Sequence, residues 1–403
     1  MGEHPRLCGS SVELGLTAAL GGTFFLLSSA VYGLAITSRP GTGIARPGFP
    51  AGNRPVPPLP ANDRALADAY SPVLALTADE RWSPIRVDSY LAHATLDGVP
   101  VGDQSKLPTS CAVGKSAPCY RVTIDCRSGH DYCAHGEYQP PATVRPPGDI
   151  VHIPADGATY VRVVRRAHPP SDGSPDPWTG WTAPDPGLAG LTTLVQYWLF
   201  YYYDEWEAPA FAGLLTQRHE SDWEAVTVGL SNTRPLFVAY SEHCSGTWVW
   251  WPQAEISESA SVIGRTHPLV GVGRGSHANY PEANQARSPD WTHCAGLPAG
   301  MSTLLSYASN IRDRTEYRWL WHQPARGLIL VDATTPPMSY PGSWGGHDET
   351  VLQNFEENDI ALDGPGPLTP PLQWLWKQPL LKIFCNYSHP SDFVVSLCPA
   401  GWS

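Results

Sequence analysis

The sequence predicts a mainly β fold, a single sandwich with long loops and few helices, preceded by one N-terminal transmembrane helix. Short apolar or alternating runs recur along the 403-residue chain, and clusters of Pro, Gly, Asn and Ser divide them as loops divide strands. Sustained 3.6-residue periodicity, which is typical of amphipathic helices, is scarce. An uncharged segment close to the N-terminus predicts the membrane helix.

The segment 14–38 contains no charged residue and follows a short tail, residues 1–13. About 20 apolar residues suffice to cross a bilayer as a helix, so this segment is long enough. It exceeds the usual apolar region of a signal peptide, which favours an uncleaved signal anchor. Small residues near Gly33 and Ala35 are compatible with cleavage instead. The sequence therefore predicts a single-pass membrane protein, with a secreted protein as the alternative.

A linker, residues 39–61, follows the membrane segment and is rich in Pro and Gly. Such a stretch buries no core, and its Pro-rich end favours an extended, semi-rigid conformation. We expect it to hold the folded domain, residues 62–403, away from the membrane.

The cysteines indicate which side of the membrane the domain occupies. Nine are present and only Cys8 precedes the apolar segment, which leaves an even set in the domain, as expected in an oxidising compartment. Four of them mark a Cys-rich insertion near 106–141, without the CxxC pairs of a zinc site. The arginines that follow the segment weakly favour a cytoplasmic domain, because positive charges flank membrane helices mainly on the cytoplasmic side. The cysteines outweigh them, and we expect an extracytoplasmic domain.

The composition excludes some partners. The chain carries 26 Lys and Arg against 38 Asp and Glu, a formal charge of −12, whereas a nucleic-acid binder needs a basic face. The glycines around Arg274 are followed by neither a helix signal nor the Lys-Ser/Thr pair of a phosphate loop, which excludes nucleotide binding. We therefore expect no nucleic-acid and no nucleotide partner.

The folded domain is predicted to begin with a helix over 62–70, capped by Asn62. A second helix is predicted over 301–312. The predicted strands cover residues 160–164, 194–203, 225–230, 236–240, 269–272 and 327–331.

Acidic residues gather around two of these strands. An aromatic strand ends at Asp204, and the next strand carries Asp222 and Glu224, which point to one face because side chains alternate. His219 has the opposite parity and joins them only if a turn or bulge precedes Asp222. Close carboxylates repel unless a cation neutralises them, and Asp, Glu and one imidazole suit a hard or borderline divalent ion. The alternative is an ordinary strand with scattered charges.

Several motifs occur in an order that resembles a known family. The central one, Arg218-His219-Glu220-Ser221-Asp222-Trp223-Glu224, is similar to the HxxDWE motif shared by the Vps62-like (vacuolar protein sorting-associated protein 62) family and the distantly related NPP1/NEP1-like necrosis-inducing proteins. The others are Tyr70-Ser71-Pro72-Val73-Leu74, Asp79-Glu80-Arg81-Trp82, Tyr240-Ser241-Glu242-His243, Gly273-Arg274-Gly275-Ser276-His277-Ala278-Asn279-Tyr280-Pro281, Trp344-Gly345-Gly346 and Gly364-Pro365-Gly366-Pro367.

The resemblance implies a β-sandwich of the NEP1-like/Vps62-like kind with a divalent ion at one end. It places metal ligands at His219, Asp222 and Glu224, and a fourth at Asp204, for which Glu205 or Glu207 are alternatives. Ser221 stands where the toxins carry a second histidine, which favours the Vps62-like branch over cytolytic activity.

Other residues are candidates for ligand binding. His243 and His277 each follow a predicted strand and either line the same pocket or serve the fold. Arg274 lies between two glycines, where its guanidinium can meet an anion. Trp206, Trp248, Trp250 and Trp251 are expected to be exposed for stacking on sugar rings. Asp313 adds an acid with no assignable role.

Two functions follow from these residues. The first is a membrane-anchored, extracytoplasmic module that uses a divalent ion, Ca²⁺ or Mg²⁺, to recognise a glycan or a lipid head group. The toxins of the related group act by recognising membrane glycolipids, which supports this hypothesis. The alternative is a metal-assisted hydrolase of a glycosidic or phosphoester substrate, with His243 or His277 as the acid–base partner.

Overall fold

The structure is a computed structural model of the chain. It describes residue 60 and residues 62–124, 157–210, 213–232, 234–243, 245–254, 256, 266–283, 286–287, 313–316, 319–322, 325–345, 347–353 and 367–387. The predicted membrane segment 14–38, the tail before it and the predicted helix 301–312 lie outside these residues, as does nearly all of the predicted linker. Within the described ranges, no helix has the length and apolar character needed to cross a bilayer. All the described residues belong to one compact unit, Phe49–Ser403.

The described part of the chain is mainly β, which confirms the predicted fold class at this level. Its helices are α1 (Asp63–Ala69), α2 (Val87–Leu91), α3 (Trp374–Lys377) and α4 (Pro379–Asn386). Its strands are β1 (Val73–Leu76), β2 (Thr95–Leu96), β3 (Val99–Pro100), β4 (Tyr120–Thr123), β5 (Thr159–Arg165), β6 (Leu191–Ala210), β7 (Gly213–Ser231), β8 (Pro235–Glu242), β9 (Ser245–Trp250), β10 (Leu269–Val272), β11 (Asn279–Tyr280), β12 (Ala286–Arg287), β13 (Asp313–Arg314), β14 (Trp319–His322), β15 (Leu328–Leu330), β16 (Gly342–Trp344) and β17 (His347–Gln353).

The largest sheet has the order β15-β5-β6-β7-β8-β9, and β17 also pairs with β7. Its centre is the antiparallel hairpin of β6 and β7, whose strands have 20 and 19 residues. On its outer side, β7 has two partners. β17 pairs with residues 214–219 and β8 with residues 226–230, so neither of these strands pairs with residues 220–225. The acidic motif of β7 lies in this gap between the two outer strands.

A second sheet, β11-β10-β1-β14, shares a buried apolar core with the first. Leu74, Leu76 and Val270 from this sheet belong to the same buried cluster as Tyr197 and Leu199 of β6. Val73 and Leu269 lie in a separate small apolar cluster. The side chains of this sheet thus alternate between two environments, as the period of a strand requires.

Helices pack on both faces of the large sheet. The Asn62 side chain accepts a hydrogen bond from the Ala65 amide at 2.7 Å, which confirms the predicted cap of α1. The Tyr197 hydroxyl donates to the Ala67 carbonyl of α1 at 2.9 Å. The next residue, Trp198, points to the opposite face and packs against Trp376 of α3, with 5.9 Å between ring centroids.

A third sheet, β16-β4-β2-β3, includes the start of the Cys-rich insertion. Cys111 and Cys119 form a disulfide there, and Cys385 of α4 is also disulfide-bonded. The remaining cysteines of the insertion, Cys126 and Cys133, lie outside the described residues.

Candidate functional site

Ser221 interrupts the side-chain alternation of β7. Its φ is 59°, in the left-handed region, and the β6–β7 ladder omits the Tyr202–Ser221 pair while continuing on both sides. Glu220 therefore turns to the far face, where its carboxylate accepts hydrogen bonds from the Tyr90 hydroxyl at 3.2 Å and the Ile124 amide at 2.9 Å. His219 and Asp222 come to the same side. The interruption that the sequence required for His219 to join Asp222 is thus present.

The facing strand β6 shifts at the same level. Tyr201 stacks on His277, with 3.8 Å between ring centroids, while Tyr202 and Tyr203 both contact Trp82. Asp204 then faces its ladder partner His219, and its Oδ2 lies 3.5 Å from the His219 Nε2. The acid that ends the aromatic strand is therefore beside the acidic motif of β7.

A tight loop brings His277 to these strands. Gly275 has φ +76°, its amide donates to Glu80 Oε2 at 2.8 Å, and its carbonyl accepts from the Glu205 amide at 3.1 Å. A Cβ at position 275 would lie 2.0 Å from the Glu205 carbonyl oxygen, so only glycine fits this close approach. The loop fixes His277, which is fully buried and has φ 54°.

Asp204, Asp222 and His277 converge at the centre of the site. One ligand atom from each lies within 4.8 Å of the others, and all three residues are buried. Burial, and next the neighbouring charge of Asp222, raise the pKa of the Asp204 carboxyl well above its usual value. This is the electrostatic condition that a bound cation relieves.

Glu224 lies beside this group on the same face of β7. It is buried, and the Ser241 hydroxyl donates a short hydrogen bond to its carboxylate. Burial and the charge of Asp222 raise the pKa of Glu224 well above its usual value. The Ala225 amide in turn donates a hydrogen bond to the Ser241 Oγ at 2.8 Å, next to the end of the β7–β8 pairing.

His219 and His277 differ in their hydrogen bonding. The Nδ1–H of His219 donates to the Ser221 carbonyl at 2.6 Å, and its Nε2 lies 3.5 Å from the Asp204 carboxylate. A histidine that binds a metal through one ring nitrogen typically donates the other ring nitrogen to an acceptor in this way.

His277 instead lies between two carboxylates, with Nδ1 3.2 Å from Asp222 and Nε2 3.6 Å from Glu80. Burial alone would lower the pKa of His277, but the hydrogen bonds and charges of Asp222 and Glu80 raise it to about 10. Glu80 itself accepts hydrogen bonds from the backbone amides of Arg81, Trp82 and Gly275. Against the effect of burial, His277 and then the Gly275 and Trp82 amides lower the pKa of Glu80. His277 is therefore an imidazolium that positions Asp222.

His243 occupies the neighbouring hairpin between β8 and β9. Its Nε2 lies 3.0 Å from Asp313 Oδ2, and its ring packs edge-on against Trp206 at 5.7 Å. Asp313 is fully buried and also accepts a short hydrogen bond from the Tyr280 hydroxyl. The structure thus gives Asp313, which had no role in the sequence, a place beside the site.

Three of the four non-glycine residues with positive φ in the described part are Ser221, His243 and His277; the other is Asp97, in the β2–β3 turn. Left-handed backbone is unfavourable for these residue types and collects at functional sites, where the surrounding structure maintains it. The strain therefore coincides with the acidic cluster.

The expectation that Trp206 is exposed is wrong, and the same holds for Trp248 and Trp251. Trp206 is only 2% exposed because β6 continues past Asp204 and the β8–β9 hairpin covers the ring. Trp250 is half-buried against Trp248, with 5.1 Å between ring centroids. Trp206 therefore supports His243 rather than presenting a stacking surface.

The remaining candidates lie at the surface. Arg274 Nε is 3.5 Å from Asp79 Oδ2, so an acidic partner already faces the guanidinium. Glu205, an alternative to Asp204, pairs with Arg81 at 3.0 Å. The side chain of Glu207 lies outside the described part.

Sequence reasoning missed Glu80, Ser241 and Asn279 as parts of the site. Asn279 is buried, and its amide nitrogen lies 3.5 Å from Ser241 Oγ. All three lie inside motifs of the resemblance, Glu80 in Asp79–Trp82, Ser241 in Tyr240–His243 and Asn279 in the block that begins at Gly273, but none of these motifs marked the residue as part of the site.

The donors fit an oxygen-seeking cation. In the part of the site that the structure describes, buried oxygens without a hydrogen-bond partner include Tyr201 Oη, Asn279 Oδ1 and Asp313 Oδ1. Buried polar atoms are normally paired, and carboxylate, amide and hydroxyl oxygens are preferred ligands of Ca²⁺ and Mg²⁺.

No protein-family model, curated protein or solved structure matches this chain. The resemblance to the Vps62-like and NPP1/NEP1-like groups therefore stays a prediction from its motifs.

Proposed function

We propose that this chain is a membrane-anchored, extracytoplasmic recognition module whose divalent cation, Ca²⁺ or Mg²⁺, binds an oxygen-rich glycan or lipid head group. The observation that carries the proposal is the buried approach of the Asp204 and Asp222 carboxylates, whose ligand atoms lie within 4.8 Å of each other and of one His277 nitrogen. His277 lies between Asp222 and Glu80 and offers one positive charge at most, so the carboxylates of Asp204, Asp222 and Glu224 together still lack counter-charge, which a cation would supply.

Asp204, Asp222, Glu224 and His219 would hold the cation. The carboxylates supply oxygen ligands, and His219 supplies the lone pair that its hydrogen bond to Ser221 leaves on Nε2. His277 would act from outside this set by orienting Asp222. Ca²⁺ and Mg²⁺ usually keep ligand positions for water or for the oxygens of a bound partner, which is what recognition of a hydroxyl or phosphate requires.

The surface beside the site supports an anionic or polyhydroxyl partner. Arg81, Arg274 and Arg314 are each next to, or in the same loop as, a residue of the site, and all reach the surface. They alternate with Asp79, Glu205 and Glu316. Arginine forks bind phosphate and sugar oxygens when they exchange out of surface ion pairs, which are weak.

The Cys111–Cys119 disulfide and the disulfide-bonded Cys385 support a location in an oxidising compartment. The segment 14–38 supports membrane attachment by its length and lack of charge. The layered β-sheets support, at a coarse level, the NEP1-like/Vps62-like sandwich that we propose for the domain.

Calorimetric titration of the purified full-length chain with Ca²⁺, Mg²⁺, Mn²⁺ and Zn²⁺ tests the proposal. We expect saturable binding that Asp222→Ala abolishes and that a matched surface variant, Asp97→Asn, leaves unchanged. Asp97 is also an acid with positive φ, and asparagine tolerates that conformation. Equal binding by wild type and Asp222→Ala would overturn the proposed site.

The hydrolase alternative is favoured by one observation, the contact of His243 with Asp313, because a carboxylate commonly orients a histidine that transfers protons. Screening with glycosidic and phosphoester substrates distinguishes the two functions. Turnover that His243→Ala removes while cation binding persists would establish hydrolysis and replace the recognition function.

A further inference from the structure

Two buried histidines and a serine form a cluster outside the cation site. His267 is 4% exposed, His322 is 8% exposed and Ser71 is fully buried. The two rings meet edge to face, with 4.7 Å between their centroids. The Ser71 Oγ lies 2.8 Å from the His322 Nε2, and the His267 Nδ1–H donates to the Ser71 carbonyl at 2.8 Å. We call these three residues the histidine cluster.

The histidine cluster lies where three strands of the second sheet meet. Ser71 comes two residues before β1, His267 comes two residues before β10, and His322 is the last residue of β14. β1 pairs in parallel with β10 and antiparallel with β14, and Val73 is the ladder partner of both Leu269 and His322. The cluster therefore joins the starts of β1 and β10 to the end of β14.

The opposite end of the same sheet leads into the cation site. Because β1 and β10 are parallel, both strands run from the histidine cluster towards that end. β1 leads to Glu80, and β10 leads to the loop that carries Gly275 and His277. The Gly275 amide donates to Glu80, and His277 lies between Glu80 and Asp222. Separation of β1 from β10 would thus displace the groups that position Asp222.

Within the described residues, neither imidazole of the cluster has a carboxylate as counter-charge. β1, β10 and β14 carry no ionisable residue besides His322. The end of α1 brings Asp68 and Tyr70 close. Asp68 contributes its backbone carbonyl, 3.0 Å from the Ser71 Oγ, and burial raises the pKa of Tyr70 to about 12, so Tyr70 stays neutral. A proton on either imidazole therefore favours a conformation in which water reaches the ring.

We propose that the histidine cluster is an acid-sensitive switch that controls the affinity of the cation site through the second sheet. The neutral cluster holds β1 against β10 and β14, and the protonated cluster releases them. The effect on the cation rests on the proposed function, whereas the opening of the sheet does not.

The pKa of His322 gives the pH range of this opening. Burial, and next His267, lower this pKa from 6.5 to about 4. A group with a lowered histidine pKa stabilises the folded sheet above 6.5, and this stabilisation is lost as pH falls towards 4. Between pH 7.5 and pH 5.5, the equilibrium constant for opening should rise about tenfold.

Hydrogen–deuterium exchange of the full-length chain in chelator, at pH 7.5 and pH 5.5, tests the switch. After correction for intrinsic exchange rates, protection of peptides from β1, β10 and β14 should fall about tenfold at the lower pH. His322→Gln should show no such fall, because glutamine does not titrate. His168→Gln, which replaces an exposed histidine, should behave as wild type does. The carboxyls of the cation site titrate equally in all these proteins, so the comparison isolates His322.

A second variant, His322→Phe, keeps a ring at this position and protects the test against misfolding of His322→Gln. Saturating Ca²⁺ should restore the protection of the wild type at pH 5.5, because coupling between two sites is reciprocal. An equal fall in wild type and in both variants would overturn the switch and leave the proposed function intact. A fall confined to the wild type that Ca²⁺ does not reverse would overturn the coupling to the cation site. Absence of Ca²⁺ binding in calorimetry would overturn the proposed function, while a fall confined to the wild type would still establish the acid-sensitive sheet.

Discussion

Ser221 shows how one backbone conformation assembles the site. Because its φ is positive, Glu220 turns away and His219 joins Asp222, so two residues that strand periodicity separates share one face. Its hydroxyl is buried without a partner, so the side chain itself contributes no hydrogen bond to the fold. What position 221 supplies is tolerance of the left-handed region.

We therefore expect Ser221→Gly to bind the cation as wild type does and to change the free energy of unfolding by less than about 1 kcal/mol, since glycine adopts positive φ without a steric penalty. Ser221→Val should destabilise the fold by about 2 kcal/mol and weaken cation binding, because a β-branched residue is an outlier there. Urea unfolding and calorimetry measure both. Equal binding in the two variants would show that the backbone at 221 does not organise the site.

The carboxyls of the site give a second prediction at this scale. Burial and mutual repulsion raise the pKa of Asp204 and of Glu224 above their ordinary values of 3.8 and 4.5. The folded state then holds protons that the unfolded state releases, so stability falls as pH rises above these ordinary values. His277, with a pKa of about 10, contributes fully below 6.5, and its contribution declines above that. The lowered pKa of Glu80 matters only as pH falls below about 4.5.

The buried His322, whose pKa is lowered to about 4, gives the opposite slope below its ordinary value of 6.5. Above that value, cation-free protein should accordingly lose stability between about pH 6.5 and about pH 8, and saturating Ca²⁺ should restore it. At 100 times the dissociation constant, a ligand that binds only the folded state adds about 2.7 kcal/mol. Chemical unfolding with chelator or with Ca²⁺ across this range measures the effect. A chelated protein whose stability is flat or rises over the range would contradict the assigned pKa directions.

At the scale of elements, the loop between β10 and β11 is the device that brings His277 to the strands. It approaches β6 so closely that Gly275 has no room for a side chain, and it ties Glu80 to the site through the Gly275 amide. Both the positive φ and the lack of space for a Cβ oppose a side chain at position 275. Comparison with a second glycine separates the two effects. Gly180 has nearly the same φ, +73°, but open space around it.

Gly180→Ala should cost about 1 kcal/mol of stability, the penalty for a left-handed alanine, and should leave cation binding unchanged. Gly275→Ala should cost a further ~1–3 kcal/mol and weaken cation binding, because the added Cβ displaces the loop. Thermal unfolding and calorimetric titration of both variants provide the comparison. Equal losses in the two variants would mean that the close approach to Glu205 is unimportant.

The elements also show how far sequence reasoning reaches. Periodicity located the cores of β5, β6, β7, β8 and β15, and β10 at its observed bounds, because buried apolar runs dominate those positions. It missed the second half of β6 and the first half of β7, where polar residues such as Asp204 interrupt the apolar pattern. Two-residue strands such as β11 leave no periodic signal at all.

The residues of the site likewise divide into those that the sequence predicted and those that only the structure revealed. Local motifs pointed to Asp204, His219, Asp222 and Glu224, since these lie on two neighbouring strands. Glu80 and Asp313 reach the site from segments far along the chain, and only the tertiary fold reveals such contacts. The burial of Trp206 was missed for the same reason, because its cover comes from another hairpin.

At the scale of the whole molecule, the proposed extracytoplasmic location and the proposed Ca²⁺ binding support each other, because Ca²⁺ is abundant in the compartments where disulfides form. Intact cells treated with a membrane-impermeant thiol reagent before and after reduction provide the check. Cys111, Cys119 and Cys385 should be labelled only after reduction, because all three are disulfide-bonded. Labelling that requires permeabilised cells would place the domain in the cytoplasm and contradict the proposed location.

The central claim is that the buried acidic site binds divalent cations. Anomalous diffraction from crystals of the full-length chain grown with Mn²⁺ tests it most directly. The account predicts a peak within about 2.5 Å of carboxylate oxygens of both Asp204 and Asp222, the range of metal–oxygen bonds. Well-ordered density for these carboxylates, without an anomalous peak between them, would contradict it.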